Sequence, residues 1–185
     1  GQATLRRRDQ RVGQAAGVGS IMDMLIDASG FPFGRDLDYE SADEVERLDL
    51  MKAEAWAFVD GDSPIPVADT VLAFGIAPMI GLFLARFMPG GKPEDAERWV
   101  VVGDLPPMHF ETDDTPTPAL ALRLYCAIAQ DWADNVLAGR DLSDSYPIEV
   151  EPTREYAEML LSRVAFIRRK LIPLAEPRAG RPGVS

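Results

Sequence analysis

Residues 68–88 read ADTVLAFGIAPMIGLFLARFM, and no charge interrupts the run between Asp69 and Arg86. Such a run has to be buried, and its length decides in what. At about 1.5 Å of rise per residue, roughly fifteen apolar positions make a rod of about 23 Å, short of the ~30 Å hydrocarbon core of a bilayer. The stretch is therefore expected to be the central helix of a globular core rather than a membrane span. Small residues recur every fourth place at Ala73, Ala77, Gly81 and Ala85, a stripe that admits another backbone closely. Leu72, Ile76, Ile80 and Leu84 form a bulky stripe beside it. Pro78 has no amide to bond back to Phe74, so the helix is expected to kink there.

On the N-terminal side, Ser41 and Glu44 have the spacing of a capping box. Val45, Leu48, Ala55, Trp56 and Val59 share one face, widened by Met51 and Phe58, which predicts an amphipathic helix through Val59. Asp60-Gly61-Asp62-Ser63-Pro64 stops it, and Pro64 and Pro66 carry the chain extended into the central segment. Further out, Ser20 is expected to cap a short helix over residues 21–28, ended by Gly30, with Met22, Leu25 and Ile26 inward. Residues 31–40, FPFGRDLDYE, read as a connector pinned by its aromatics, and residues 1–19 as a basic N-terminal arm. Gly13, Gly17, Gly19 and Ser20 lack the lysine and the preceding strand of a phosphate-cradling loop.

On the C-terminal side, PGGKPEDAE (residues 89–97) is a loop whose Gly-Gly-Lys follows a helical reading instead of a strand, so nucleotide binding is rejected. Residues 99–102 are β-branched and aromatic on both faces, as in a central strand. Residues 108–112 then alternate, Met108 and Phe110 against His109 and Glu111. Thr117-Pro118 opens a helix to about residue 138, stopped by Gly139. Residues 147–150 read as a short edge strand, and Thr153 caps a last helix ending near Ile172. Arg168, Arg169 and Lys170 sit in its final turn, where positive charge complements the helix dipole.

The block Trp99-Val-Val-Val-Gly-Asp104-Leu-Pro106, a helix bearing Tyr125 and Trp132, Pro147-Ile-Glu-Val and Glu151-Pro-Thr before the Ala157 helix resembles an uncharacterised family of small bacterial proteins. The likeness spans residues 99–173. It implies a bacterial source and a strand-helix-strand-helix order, with no functional residue to transfer; the first hundred residues match nothing.

A chain of 185 residues, 46% of them hydrophobic, is expected to form one domain, over residues 20–172, with a Pro/Gly/Arg-rich tail at 173–185. Cys126 is the sole cysteine, so no disulfide forms within the chain, and no leader peptide is visible; both point to the cytoplasm. The net charge of −11 is uneven. Residues 1–22 carry +3 and residues 159–185 carry +5, which leaves −19 for the body between them. That field repels nucleic acid and anionic membranes and attracts cationic surfaces, including the basic ends of a second copy.

Chemistry has few places to reside. There is no Gly-x-Ser-x-Gly, and a single histidine would have to serve any triad. Cys126 paired with His109 would need an exposed mid-helix thiol. The stronger candidates are His109, Glu111 and Asp113, which a strand would project to one side with Asp114 and Asp104 nearby. Imidazole and carboxylates so placed could hold a divalent cation or supply acid and base groups.

The expected fold is α+β: a small, mainly antiparallel three-stranded sheet covered by four to five helices, with the kinked central helix innermost. The expected function is that of a non-catalytic acidic interaction protein, without cofactor. It would self-associate as a homo-oligomer or bind a basic protein partner, in a specialised form neutralising a basic toxin. The alternative is a metal-assisted or acid-base enzyme built on His109, Glu111 and Asp113.

Overall fold

A computed structural model of the chain describes residues 25–32 and 42–176. Its decisive feature is that residues 68–88 are not a helix. Strand β1 (Val67–Ile76) and strand β2 (Ile80–Phe87) form an antiparallel hairpin. Gly75 faces Gly81 and Ile76 faces Ile80 at its closed end, and Ala77-Pro78-Met79 make the turn, with a cis bond before Pro78. The expected central kinked helix is thus overturned, and Pro78 marks a chain reversal, not a bend.

The physical reason is burial on both faces. Strands β3 (Glu97–Gly103) and β4 (Met108–Phe110) continue the sheet in the order β1-β2-β3-β4, all antiparallel, one strand more than expected. Helix α1 (Ala42–Asp60) covers one face, where Phe83, Ala85, Val100 and Val102 meet Leu48, Met51, Ala55 and Val59. Helices α2 (Pro118–Leu137) and α3 (Arg154–Phe166) cover the other, where Ile80, Leu82, Leu84, Trp99 and Val101 meet Leu122, Tyr125, Leu160 and Val164. A strand enclosed from both sides needs apolar side chains at every position, so the two-residue alternation that identifies a half-buried strand is erased. Its phenylalanines and few β-branched residues favour a strand but are diluted by alanine, leucine and glycine, so tertiary burial decides.

The expected stripe of small residues does not survive as one surface: Ala73 lies on the α2 and α3 side, Ala85 on the α1 side and Ala77 in the turn, and the close approach falls at Gly81 and its partner Gly75. A Cβ on Gly75 would lie 3.0 Å from Leu48 Cδ2, and one on Gly81 would lie 3.0 Å from Met51 Cε. Helix α1 therefore seats directly over this glycine pair.

Three of the expected helices hold with shifted ends, as α1, α2 and α3, so three long helices cover the sheet among the described residues where four to five were expected. Thr117 caps α2 by accepting from Leu120 N, and Thr153 caps α3 by accepting from Tyr156 N. Helix α3 widens into a π-turn over Ile167–Leu171 and continues as α4 (Ile172–Ala175). Pro173 lacks an amide to bond into the preceding turn, and a wider turn is a common accommodation. The helical path so passes the expected start of an extended tail, and Ala175 is buried in the core. Residues 147–150 are not a strand, although Ile148 is buried. Residues 25–28 are not helical; Ile26 is buried, its amide donating to Glu97 Oε2 at 2.9 Å, and Phe31 lies 6.1 Å from the Trp99 ring. The arm at 1–19, the Ser20 and Ser41 caps, residues 33–40 of the connector and residues 177–185 lie outside the described residues. Among the described residues, no helix is long and apolar enough to cross a membrane.

Two buried polar side chains hold loops to this core. Trp99 Nε1 donates to Thr115 O at 2.8 Å, and the Tyr125 hydroxyl donates to Pro106 O at 2.9 Å. Burial raises the Tyr125 phenol well above its usual range, so it remains a donor.

Gly103 is the tightest backbone position. Its φ is +137°, and a Cβ there would lie 2.3 Å from Met79 O and 2.9 Å from Ile80 Cα. Gly103→Ala is expected to cost about 3 kcal/mol or more, because backbone atoms of the β1–β2 turn must move. Gly139 has φ +66° with nothing within 4 Å of a Cβ, so Gly139→Ala should cost only about 1 kcal/mol. Urea midpoints of the two variants measure the contrast.

Candidate functional site

His109 lies on β4 opposite Val100, on the α1 side of the sheet. Arg98 projects to the same side two residues earlier on β3, and its Nε donates to His109 Nδ1 at 2.9 Å. Guanidinium can only donate, so Nδ1 accepts and the ring proton sits on Nε2. Nε2 then donates to Asp62 Oδ2 at 2.8 Å, a carboxylate delivered by the loop that follows α1. The Phe58 ring meets the imidazole edge-on, with centroids 5.5 Å apart. The backbone of His109 is held as well: its amide donates to Tyr146 Oη at 3.3 Å, and Tyr146 OH donates to His109 O at 3.0 Å.

This histidine forms one wall of a cleft of about 560 Å³. The loop after α1 contributes Asp62, Ser63, Pro64 and Ile65; the loop after β2 contributes Gly90, Gly91 and Lys92; Asp95 follows on a short 3₁₀ turn. Val59 and Phe87 add apolar surface. The two loops are tied together because Met88 N donates to Pro66 O at 2.9 Å and Val67 N donates to Asp60 Oδ1 at 3.0 Å. The Gly-Gly-Lys segment so has a place in a cavity wall, in a loop between two strands. Gly90, at φ +134°, adopts a backbone that favours glycine.

The groups in the cleft are mostly committed. Ser63 Oγ donates to Ile65 O at 2.8 Å and accepts from Ile65 N at 3.2 Å, a local turn that leaves its hydroxyl unactivated. Both ring nitrogens of His109 are bonded, one as acceptor and one as donor. In contrast, the side chains of Lys92 and Asp95 have no hydrogen-bond or ion-pair partner among the described residues, and Arg98 uses only its Nε.

The carboxylates expected to join His109 do not reach it. Strand β4 ends at Phe110, so the two-residue projection that would carry Glu111 and Asp113 to its side stops too early. Glu111, Asp113 and Asp114 are exposed, and Asp113 borders a separate small recess beside Leu25 and Pro93. Asp104 turns to α3 and pairs with Arg163 at 2.5 Å. Among the described residues, no three of His, Cys, Asp and Glu are grouped to hold a metal ion. Cys126 is buried in α2 within the core of the opposite sheet face, so it makes no pair with His109. The missed partners were Asp62 and Arg98. Arg98 becomes visible only once the β3–β4 register is known, and Asp62 only once α1 is docked.

The chain belongs to the family described as a domain of unknown function, DUF4826, whose model matches residues 67–170. The match agrees with the resemblance read over the C-terminal half and extends it backward through the whole hairpin. No curated protein and no solved structure matches the chain.

Two measurements check this geometry. Because the chain has one histidine, long-range ¹H–¹⁵N spectra report it without ambiguity. They should show the Nε2–H tautomer in the folded protein, and Asp62→Ala should move the Nε2 signal. An Nδ1–H ring would contradict the Arg98 contact. Burial pushes the Cys126 thiol up to about 11 from an ordinary 9.0, against the lowering influence of Arg168 and Arg123. Its contribution to stability is then complete below about pH 9 and lost as pH rises from about 9 to about 11, since the unfolded thiol ionises first. Iodoacetamide at pH 8 should label Cys126 only under unfolding conditions.

Proposed function

We propose that this member of the DUF4826 family is a non-catalytic interaction protein that docks through its acidic surface onto a basic protein surface. One observation carries the reading, the surplus of exposed carboxylates on helix α1 that are unpaired among the described residues. Helix α1 exposes Asp43, Glu46, Asp49 and Glu54, and none of the four has an ion-pair partner among the described residues. Arg168, Arg169 and Lys170 are exposed on the opposite layer, where α3 widens. Arg47 and Lys52 are exposed on the same helix, Lys52 beside Asp69, but carboxylates outnumber them, and such an acidic surplus steers encounter and favours a partner of opposite sign. The basic turn of a second copy offers such a surface, so head-to-tail self-association is the first case to test. A bacterial cytoplasmic setting, and in specialised form the neutralisation of a basic toxin, belong to the same proposal.

Commitment of the His109 ring and of the Ser63 hydroxyl favours binding over catalysis. The divergence of His109, Glu111 and Asp113 leaves the acid-base or metal-assisted reading without the convergence it requires.

The test combines sedimentation at low and high salt with titration of a Lys/Arg-rich peptide. The parent should associate or bind at low salt, weaken as salt rises, and lose about tenfold in affinity when Glu46→Gln, Asp49→Asn and Glu54→Gln are combined. A salt-insensitive monomer that ignores the peptide would overturn the proposal, as would a triple variant that binds like the parent.

A further inference from the structure

The His109 cleft holds more charge than its internal bonds consume. Arg98 and Asp62 are bridged through the neutral imidazole, which leaves the terminal guanidinium nitrogens and Asp62 Oδ1 without bonds to described residues. Lys92 and Asp95 face the same space unpaired. Two cationic and two anionic side chains therefore border one cavity with an apolar wall of Val59, Ile65 and Phe87.

That balance selects a class of ligand. An anion attracted by Lys92 and Arg98 is opposed by Asp62 and Asp95, and a cation meets the reverse opposition. A wholly apolar ligand would desolvate all four charges with nothing in return. A molecule carrying both signs on neighbouring atoms, with an apolar body, avoids each penalty. The volume of about 560 Å³ lies in the range of small-molecule sites.

We propose that the cleft binds a free α-amino acid with an apolar side chain, as the zwitterion. Its carboxylate is received by Lys92 and Arg98, its ammonium by Asp62 and Asp95, and its side chain by Val59, Ile65 and Phe87. Gly90 and Gly91 keep that wall clear of side chains. This site is independent of the docking of α1 to a basic surface, and either can fail alone.

The experiment is an NMR titration of the labelled full chain with L-leucine and L-phenylalanine, against N-acetyl-leucine, leucine amide and N-acetyl-leucine amide. Saturable shifts at the His109 ring and at the Gly90 and Gly91 amides are expected with the free amino acids. Each capped compound should bind about tenfold or more weakly, as should the exposed-residue variants Lys92→Ala and Asp95→Asn in a protein with unchanged spectra elsewhere. The proposal is overturned if no saturable shift appears at those groups at millimolar ligand. It is equally overturned if a capped compound binds as well as its parent, or if neither variant weakens binding.

Discussion

Closure of both faces of strand β2 is the condition on which the architecture depends. Ile80, Leu82 and Leu84 face α2 and α3, Phe83 and Ala85 face α1, and all five are essentially without solvent exposure. Each large side chain so buried gains about 1.5–3 kcal/mol relative to exposure, and that gain is realised only when both helical layers are in place. The backbone is satisfied at the same time, because β2 sits between β1 and β3 and its amides and carbonyls are spent on two ladders. A lone helix of this composition would have met its own hydrogen bonds equally well. The sheet wins because neighbouring segments supply partner strands: β3 pairs along its length on one side, and β1 lies across a three-residue turn on the other.

The same demand explains one charge placed inside. Glu97 begins β3 and is only 4% exposed, yet it is not left alone. Arg86 Nε donates to Oε1 at 3.2 Å and the Ile26 amide donates to Oε2. A buried carboxylate is tolerable when its oxygens are bonded and an opposite charge is adjacent. Here those bonds attach residues 25–32 to the sheet, with Ile26 and Phe31 packing beside them.

What could be read in the chain follows from which signals survive burial. Helices α1 and α3 each keep one wet face, so their periodicity persists in Leu48 to Val59 and Ala157 to Val164, although Val45 is exposed. Helix α2 is legible as a helix but not in its face: the spacing of Leu120, Leu124, Ala127, Ile128 and Val136 suggests the apolar side, whereas Leu122, Tyr125, Cys126, Ala129 and Trp132 are the residues buried. Strand β3 was legible because Val100, Val101 and Val102 are β-branched, which argues for extended backbone even without alternation. Residues 68–88 had neither a wet face nor a β-branched majority. Only Pro78, at the middle of two runs each of strand length, pointed to a turn, and a kinked helix explained it as well. For the site, His109 was visible as the single histidine. Its real partners were not, because Asp62 stands 47 positions away and a strand pairing brings in Arg98. Glu111 and Asp113 would share the side of His109 only if the strand continued, and it ends one residue after His109.

Fold and site are joined through α1. The helix approaches the sheet closely because Gly75 and Gly81 present no side chain to Leu48 and Met51. Seated there, its last turn sends Asp60 to the Val67 amide and the following residues across the β2–β3 loop, so that Asp62 arrives at the imidazole. The ring tautomer is therefore set from two directions, by Arg98 through the sheet register and by Asp62 through helix docking. Residues 67–170, the matched family region, provide Lys92, Asp95, Arg98 and His109, while Val59, Asp62 and Ile65 come from the segment before it. Covering the apolar face of the sheet and completing the mixed-charge cleft are consequently a single event. A change that lifts α1 from the glycine pair must expose Phe83 and Val100 and release His109 from its carboxylate together.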